Sequence, residues 1–499
     1  MRNVNYIDIP SLLEARKRIK SSNVIRYNNK EHQVSEVTLN KLKGKKYYIK
    51  THGCQANIRD EETLSGLLSS LNMERSEDIN EASIIVINTC AVRENANNKV
   101  YAEIGNIKHL KEKLNKDKSK DKNQDLILIL CGCMVETKDT LDKLINVYPY
   151  IDIILGTHNI DNLITLIDSY LENKGKNRLV DVSSKEGDVI EDLPTKRNND
   201  FSAYVNIAFG CDKFCSYCIV PFTRGKERSR RVEDILLECK LLKEEGYKEV
   251  ILLGQNVDSY GKDLKDYTYK GNKVSFATLL EEVAKLNIPR VRFLTSYPSE
   301  FKDEVIDVIA KYDNVMNYIH LPVQSGSNSV LKRMNRRYTK EEYLALVDRI
   351  KAKIPNIALS TDIIIGFPNE SNEEFLDTLD LVRKVSYSSA YTFIYSPREG
   401  TLAAKMEDLT PYQEKVKRFK ELTKVLEEGI EKDNLLHLNK IEEVLVTGVS
   451  KTNEEYLSGQ LENNKTVNFK GDKSLIGKLV KVKINEDKLY SFNGELVEE

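Results

Sequence analysis

Three cysteines stand within eight residues of this 499-residue chain, in the order Cys211-Asp-Lys-Phe-Cys215-Ser-Tyr-Cys218. Iron–sulfur clusters are held by cysteine thiolates, usually four. Three close thiolates with no fourth in the local motif would leave one iron open to a small ligand, as a catalytic zinc keeps an open position. The competing reading is a structural zinc site, which asks for a fourth ligand and usually pairs CxxC with CxxC or HxxxH.

Three further cysteines are distant in sequence but equivalent in placement. Cys54 follows Tyr-Tyr-Ile-Lys-Thr-His-Gly, Cys90 follows Ile-Ile-Val-Ile-Asn-Thr, and Cys133 follows Leu-Ile-Leu-Ile-Leu-Cys131-Gly. The gaps between them are 36 and 43 residues, about one βα unit each. In a parallel sheet all carboxyl ends share one edge, where open α/β sheets place ligands. Three such cysteines would therefore converge. The competing reading is three buried free cysteines, a common fate for this residue type. Cys131, still inside its strand, and Cys239, on a helical face, read as core.

The elements that must position these groups follow from alternating apolar runs and helical patterns, which predict βαβ units. Residues 1–44 are polar and lysine-rich and read as an extension with one helix candidate, Pro10 to Lys20. Residues 45–172 form an α/β domain, with strands expected at Tyr47–Lys50, Ser83–Asn88, Asp125–Leu130 and Ile151–Leu155 and helices at Arg59–Leu71 and Glu94–Lys113. The mixed-charge stretch Lys111 to Lys122 reads as a solvated loop or helix end. Residues 173–200 read as a linker. A second series, 201–436, has strands expected at Tyr204–Ala208, Val250–Leu253, Val291–Thr295, Tyr318–Pro322, Ala358–Ile365 and Tyr391–Tyr395. Six βα units are too few for the eight-stranded barrel, so a partial barrel is expected. Residues 437–499, after a long charged helix from Pro411 to about Leu436, are short β runs between Asn/Gly turns and predict a small β-barrel. The fold class is α/β.

Composition narrows the function classes. Lys and Arg number 76 against 77 Asp and Glu, which argues against a polybasic or an acidic disordered chain. Eight cysteines are too sparse for a disulfide-stapled scaffold. The first twenty residues contain no apolar signal-peptide region, and no apolar run approaches a membrane span. A cytoplasmic protein with reduced thiols and no membrane partner is expected. In the second series the strand ends carry Gln255, Ser296, Gln324 and Asp362, polar groups suited to a charged, ribose-bearing cofactor.

Around the cysteines the chain reads Thr51-His-Gly-Cys-Gln-Ala-Asn57, Asn88-Thr-Cys-Ala-Val-Arg-Glu-Asn95, Gly132-Cys-Met134 and Ile219-Val-Pro-Phe-Thr-Arg-Gly-Lys-Glu-Arg-Ser-Arg230. Further on stand His320-Leu-Pro-Val-Gln-Ser-Gly-Ser-Asn328, Ser360-Thr-Asp362 and Tyr395-Ser-Pro-Arg398. From about residue 45 onward this set resembles the radical S-adenosylmethionine (SAM) methylthiotransferases. Gly-Cys-Gln-Ala-Asn is closest to the GCQMN of the branch acting on isopentenyladenosine; the other two branches usually read GCPKN and GCKVN.

The resemblance implies two [4Fe–4S] clusters. Cys211, Cys215 and Cys218 would hold one that binds and cleaves SAM, with Tyr217 near the adenine. Cys54, Cys90 and Cys133 would hold an auxiliary cluster that carries sulfur. It implies a radical-SAM barrel at the centre and a TRAM-like RNA-binding barrel at the end. It also implies methylthiolation at C2 of N6-isopentenyladenosine, position 37 of tRNA, with one SAM as methyl donor and a second as source of a 5′-deoxyadenosyl radical. The partners implied are the tRNA anticodon stem-loop and an electron donor such as a flavodoxin or ferredoxin; a monomer is the default. Other readings are a methylthiotransferase acting on threonylcarbamoyl-adenosine or a ribosomal protein, and a non-catalytic iron–sulfur RNA-binding redox sensor.

Two basic stretches are candidates for RNA phosphate contact: Arg224 to Arg231, with Arg224, Arg228, Arg230 and Arg231, and Lys332 to Lys340, with Arg336 and Arg337. Solvated helix faces are the competing reading. The terminal segment has nine lysines against eleven acids from His437 onward, so its RNA-binding role rests on the resemblance alone.

Overall fold

The computed structural model describes residues 23–28, 34–91, 94–116, 126–182 and 188–497. The chain divides into two compact units. One comprises residues 1–198, 209–213 and 218–230; the other comprises 199–208, 214–217 and 231–499.

The first unit is built on a six-stranded sheet in the order Glu74–Arg75, Lys46–Thr51, Ala82–Thr89, Ile127–Gly132, Ile153–Leu155, Leu179–Asp181. Every pairing is parallel. Its central strands Ala82–Thr89, Ile127–Gly132 and Ile153–Leu155 are buried on both faces, so they read as unbroken apolar runs. Ile84 and Val86 face a layer containing the helices Gln55–Ser70 and Leu163–Glu172. Ile85 and Ile87 face the layer of Glu94–Lys116 and Lys138–Val147. Strand order reverses between Lys46–Thr51 and Ala82–Thr89, the kind of switch point where such sheets open a ligand crevice.

Two expectations are corrected here. The stretch 173–200 is not a plain linker: Leu179–Asp181 is the sixth strand, and Asp188–Glu191 pairs in parallel with Asn23–Arg26. Structure also begins before Lys45, since Glu36–Leu42 is a helix capped by Ser35, with Leu42 in the core. The Pro10 to Lys20 candidate lies outside the described residues, as does the half of Lys111 to Lys122 that follows the helix end at Lys116.

The second unit contains the partial barrel. Ser202–Asn206, Glu249–Leu253 and Arg290–Phe293 form one parallel sheet, and Tyr318–His320, Ala358–Ile365 and Ser389–Ile394 another. A Val291–Val315 bridge and the bond from Ser296 N–H to the His320 carbonyl (3.2 Å) continue one into the other. The long helix Tyr412–Leu435 packs against the last strand. The terminal segment closes as a five-stranded barrel in the order Ile441–Val449, Tyr456–Gln460, Thr466–Lys470, Ser491–Leu496, Leu479–Asp487. Val444, Val446, Phe469, Ile484 and Phe492 fill it. Its last strand starts at Ser491, after Lys488–Tyr490 make the turn, with Leu489 at φ 64°.

Candidate active site

The first unit brings its three predicted cysteines to the switch-point edge of the sheet. Cys54 is the N-cap of the helix Gln55–Ser70, Cys90 follows the strand Ala82–Thr89, and Cys133 opens a short 3₁₀ turn after Ile127–Gly132. Glycine is required at two of these turns. A Cβ on Gly53 (φ 145°) would stand 2.9 Å from the Cβ of Cys90, and one on Gly132 (φ 97°) would stand 2.3 Å from the Thr89 carbonyl oxygen. Burial pushes the Cys133 thiol up to about 12; the Arg224 guanidinium works against this shift, and the Cys90 and Cys54 thiols add to it.

Two asparagines join the cysteine turns. Asn57 Nδ2 donates to the Thr89 carbonyl at 2.9 Å, and Asn88 Nδ2 donates to the Asn57 carbonyl at 2.8 Å. The sequence motifs contained both residues without showing this role. Among the described residues no three His, Cys, Asp or Glu side chains already stand in a metal-coordinating arrangement. The donor set nevertheless fits a cluster held by three thiolates: three cysteines on one sheet edge, side chains close enough to influence one another, and a cation beside one sulfur. Cys131 lies in the core among Ile129 and Leu155, and Cys239 is fully buried on the helix Val232–Glu244, as expected of core residues.

In the cysteine loop of the barrel, Cys211 and Cys215 are buried and Cys218 is half-buried. Cys211 N–H donates to the Gly225 carbonyl at 3.1 Å. In the second unit, Arg336 reaches Cys215 Sγ (3.7 Å) and the Pro322 carbonyl (2.6 Å), with its guanidinium 4.3 Å from the Tyr297 ring centroid. Tyr217 is half-buried against the cluster of Val330, Met334 and Phe367. The neighbouring Ser216 anchors the loop through the Met334 carbonyl, 2.9 Å, and the Arg333 carbonyl, 2.8 Å.

The other predicted cofactor residues stand at strand ends of the same unit. Gln255 is half-buried and Ser296 buried. Gln324 holds a left-handed φ of 69°, and Thr295, just before Ser296, one of 73°. Such strain in non-glycine residues clusters where a ligand is gripped. Asp362 lies 3.5 Å from His320 Nε2, whose Nδ1 meets Ser360 Oγ at 2.8 Å. Asn256, next to Gln255, has a buried side-chain oxygen without a hydrogen-bond partner among the described residues. An orphaned buried acceptor at a strand end fits a donor-bearing ligand.

The basic stretches divide. Arg224, Arg228, Arg230 and Arg336 are buried. Arg224 pairs with Asp60 at 2.6 Å, and Arg230 grips Glu191 through two bonds of 2.7 and 2.6 Å. Arg228 donates to the Asp188 carbonyl. These four are engaged inside the protein, which corrects the expectation that they face RNA. Arg231 and Arg337 are exposed.

Residues 205–382 match the model of the Radical SAM superfamily, 46–156 that of the uncharacterized protein family UPF0004, and 437–497 that of the TRAM domain. A solved radical S-adenosylmethionine methyltransferase, TsrM of Kitasatospora setae, with cobalamin and a [4Fe-4S] cluster bound, superposes with a TM-score of 0.52 over 72% of this chain and 77% of its own, at 13% identity. That likeness is one of fold. The tRNA-2-methylthio-N(6)-dimethylallyladenosine synthase of Bacillus subtilis (strain 168) is 49% identical over 98% of this chain and 92% of its own length. The synthase of the same name from Staphylococcus haemolyticus (strain JCSC1435) is 50% identical over 99% and 92%. With identity of that order along nearly its whole length, this chain belongs to the family of radical-SAM tRNA methylthiotransferases that includes these synthases.

Proposed function

We infer that this protein methylthiolates C2 of N6-isopentenyladenosine at position 37 of tRNA, using SAM and two [4Fe–4S] clusters. The observation that carries the reading is the pairing of two cysteine sets on one chain: a CxxxCxxC loop after the first strand of a partial barrel, and three cysteines at the switch-point edge of a parallel sheet. Cys211, Cys215 and Cys218 would hold one cluster, and Cys54, Cys90 and Cys133 the other. Bound there, these groups supply the radical and the sulfur for a C–H bond that no side-chain acid or base can usefully break.

The chain's own residues position and enclose them. Tyr217, Gln255, Ser296, Gln324 and Asp362 would line the SAM site. His320, bonded to Ser360 and facing Asp362, fixes the ring beside that carboxylate. The base must leave its stack to reach the site, and Arg231 and Arg337 are the surface cations offered to the anticodon stem-loop. The reading extends to a flavodoxin- or ferredoxin-type electron donor, a cytoplasmic location and a monomer. No described helix is long and apolar enough to cross a membrane.

Nucleoside mass spectrometry of tRNA from a deletion strain tests this. We expect 2-methylthio-N6-isopentenyladenosine to disappear, to return with the intact gene and to stay absent with Cys90→Ala. Undiminished product in the deletion strain would refute the substrate, leaving threonylcarbamoyl-adenosine or a ribosomal protein. A reconstituted protein that releases no 5′-deoxyadenosine from SAM under reducing, anaerobic conditions would favour the non-catalytic redox sensor instead.

A further inference from the structure

Within the first unit, Arg224 turns toward a cysteine. Its Nε donates to Cys133 Sγ at 3.2 Å, and its terminal nitrogen donates to Asp60 Oδ2 at 2.6 Å. Asp60 sits on the helix that Cys54 caps, so the guanidinium ties the turn bearing Cys133 to the helix at Cys54. Both charged side chains are about nine-tenths buried. Burying an ion pair removes both charges from water, and replacing such a pair by apolar residues is often neutral or stabilising. Its retention beside a thiol therefore asks for a reason other than stability. A guanidinium keeps its charge in proteins, and its planar donors fix its orientation when two partners hold it. Hydrogen bonds to the sulfurs and net charge are among the factors that set an iron–sulfur cluster's potential.

We propose that Arg224 is a positioning residue for the auxiliary cluster, orienting Cys133 and placing one fixed positive charge, trimmed by Asp60, beside the cluster's sulfur shell. The inference rests on Cys54, Cys90 and Cys133 being the ligands of that cluster. The pair then acts as an electrostatic setting of opposite signs: Arg224 favours the reduced, more negative cluster, and Asp60 opposes it. The balance holds for a one-electron couple, in which the added electron comes from the chemical reductant of the titration and stays on the cluster.

The test is a redox titration followed by electron paramagnetic resonance. It uses the full chain with Cys211, Cys215 and Cys218 all changed to Ala, so that only the auxiliary cluster is present. Arg224→Gln is expected to shift the midpoint to more negative potential, Asp60→Asn to more positive, and Arg224→Lys to stay nearer the parent than Arg224→Gln. A purely structural brace would not give shifts of opposite sign. With iron retained, unmoved midpoints or shifts of the same sign overturn the inference while the ligand reading stands. Should Arg224→Gln retain too little iron, Asp60→Asn decides: an unmoved or lowered midpoint overturns it. Absence of iron from the triple-alanine parent removes the ligand reading, and this inference with it.

Discussion

Asn57 and Asn88 clasp each other across the sheet edge: the Asn88 amide donates to the Asn57 carbonyl at 2.8 Å, and the Asn57 amide reaches Asn88 Oδ1 at 3.3 Å. Both side chains are buried. The clasp fixes the first turn after Cys54 against the strand end before Cys90, so two thiols far apart in sequence share one frame. Asn57→Ala leaves the Thr89 carbonyl and Asn88 short of a partner, which costs about 1–3 kcal/mol. We expect the purified variant to lose the iron of the first unit's site and keep that of the CxxxCxxC loop, roughly half the total. Iron analysis with electron paramagnetic resonance on the reconstituted protein checks this; a full complement would show that the clasp does not organise the site.

The terminal β-barrel is hooked onto the partial barrel by two arginines on one strand. Arg292 bonds Glu249 at 2.6 Å and donates to the carbonyls of Leu461 and Glu462, each at 2.7 Å. Arg290, almost fully buried, donates to the carbonyls of Gln460 and Glu443 at 2.7 and 2.8 Å. Arg292→Met would strand the Glu249 carboxylate in the interior, and removing one partner of a buried pair costs about 3–5 kcal/mol. Limited proteolysis should then release the segment from about residue 437 onward, which the parent retains. An equally resistant variant with an unchanged melting temperature would sink the hook.

How legible this was follows from which contacts are local. The central strands of the first sheet stood out because burial on both faces makes runs such as Ile84 to Ile87 continuous, and the cysteines were legible because they end those runs. The destination of the basic residues was not. Arg224 and Arg230 find their counter-charges 164 and 39 residues away, and charge density along a chain does not tell which way a side chain turns. Leu179–Asp181 was missed for another reason: three residues are too few to carry a strand signature against a polar background. The Asn57–Asn88 clasp lay inside recognised motifs, but only the fold shows that these two motifs meet.

Stability should fall as pH rises toward 8. Asp258 is buried, and burial pushes its carboxyl up to about 8 even though Tyr297 N–H donates to it at 2.6 Å and favours the charged form. In the unfolded chain an aspartate titrates near about 3.9. Between those values the native state holds a proton that the unfolded state has released. The contribution is therefore complete below about pH 4, declines by at most about 1.4 kcal/mol per pH unit, and is gone above pH 8. Glu136, pushed up to about 7 by burial, adds a slope of the same sign that ends near pH 7. Asp258→Asn removes one of the two groups, so its melting temperature should fall less than the parent's between pH 5 and 8. Parallel curves for the two proteins would contradict the assignment.

Exposure sorts the arginines of the two basic stretches, and tRNA binding should follow it. Arg231 and Arg337 are open to solvent, whereas Arg230 is buried in a two-bond grip on Glu191. Each phosphate contact releases counterions, so removing one lowers the slope of log affinity against log salt by about 1. Arg337→Glu and Arg231→Glu should weaken tRNA binding at low salt and flatten that slope, while changing stability by no more than about 0.5 kcal/mol. Arg230→Glu should do the reverse: it sets two acids against each other in the interior, so the protein melts earlier, and whatever binding the folded fraction retains should keep the parent's slope. Filter binding of tRNA from 50 to 200 mM salt, beside thermal melts, distinguishes the two patterns. A parent slope in both surface variants would mean that the anticodon arm is held elsewhere.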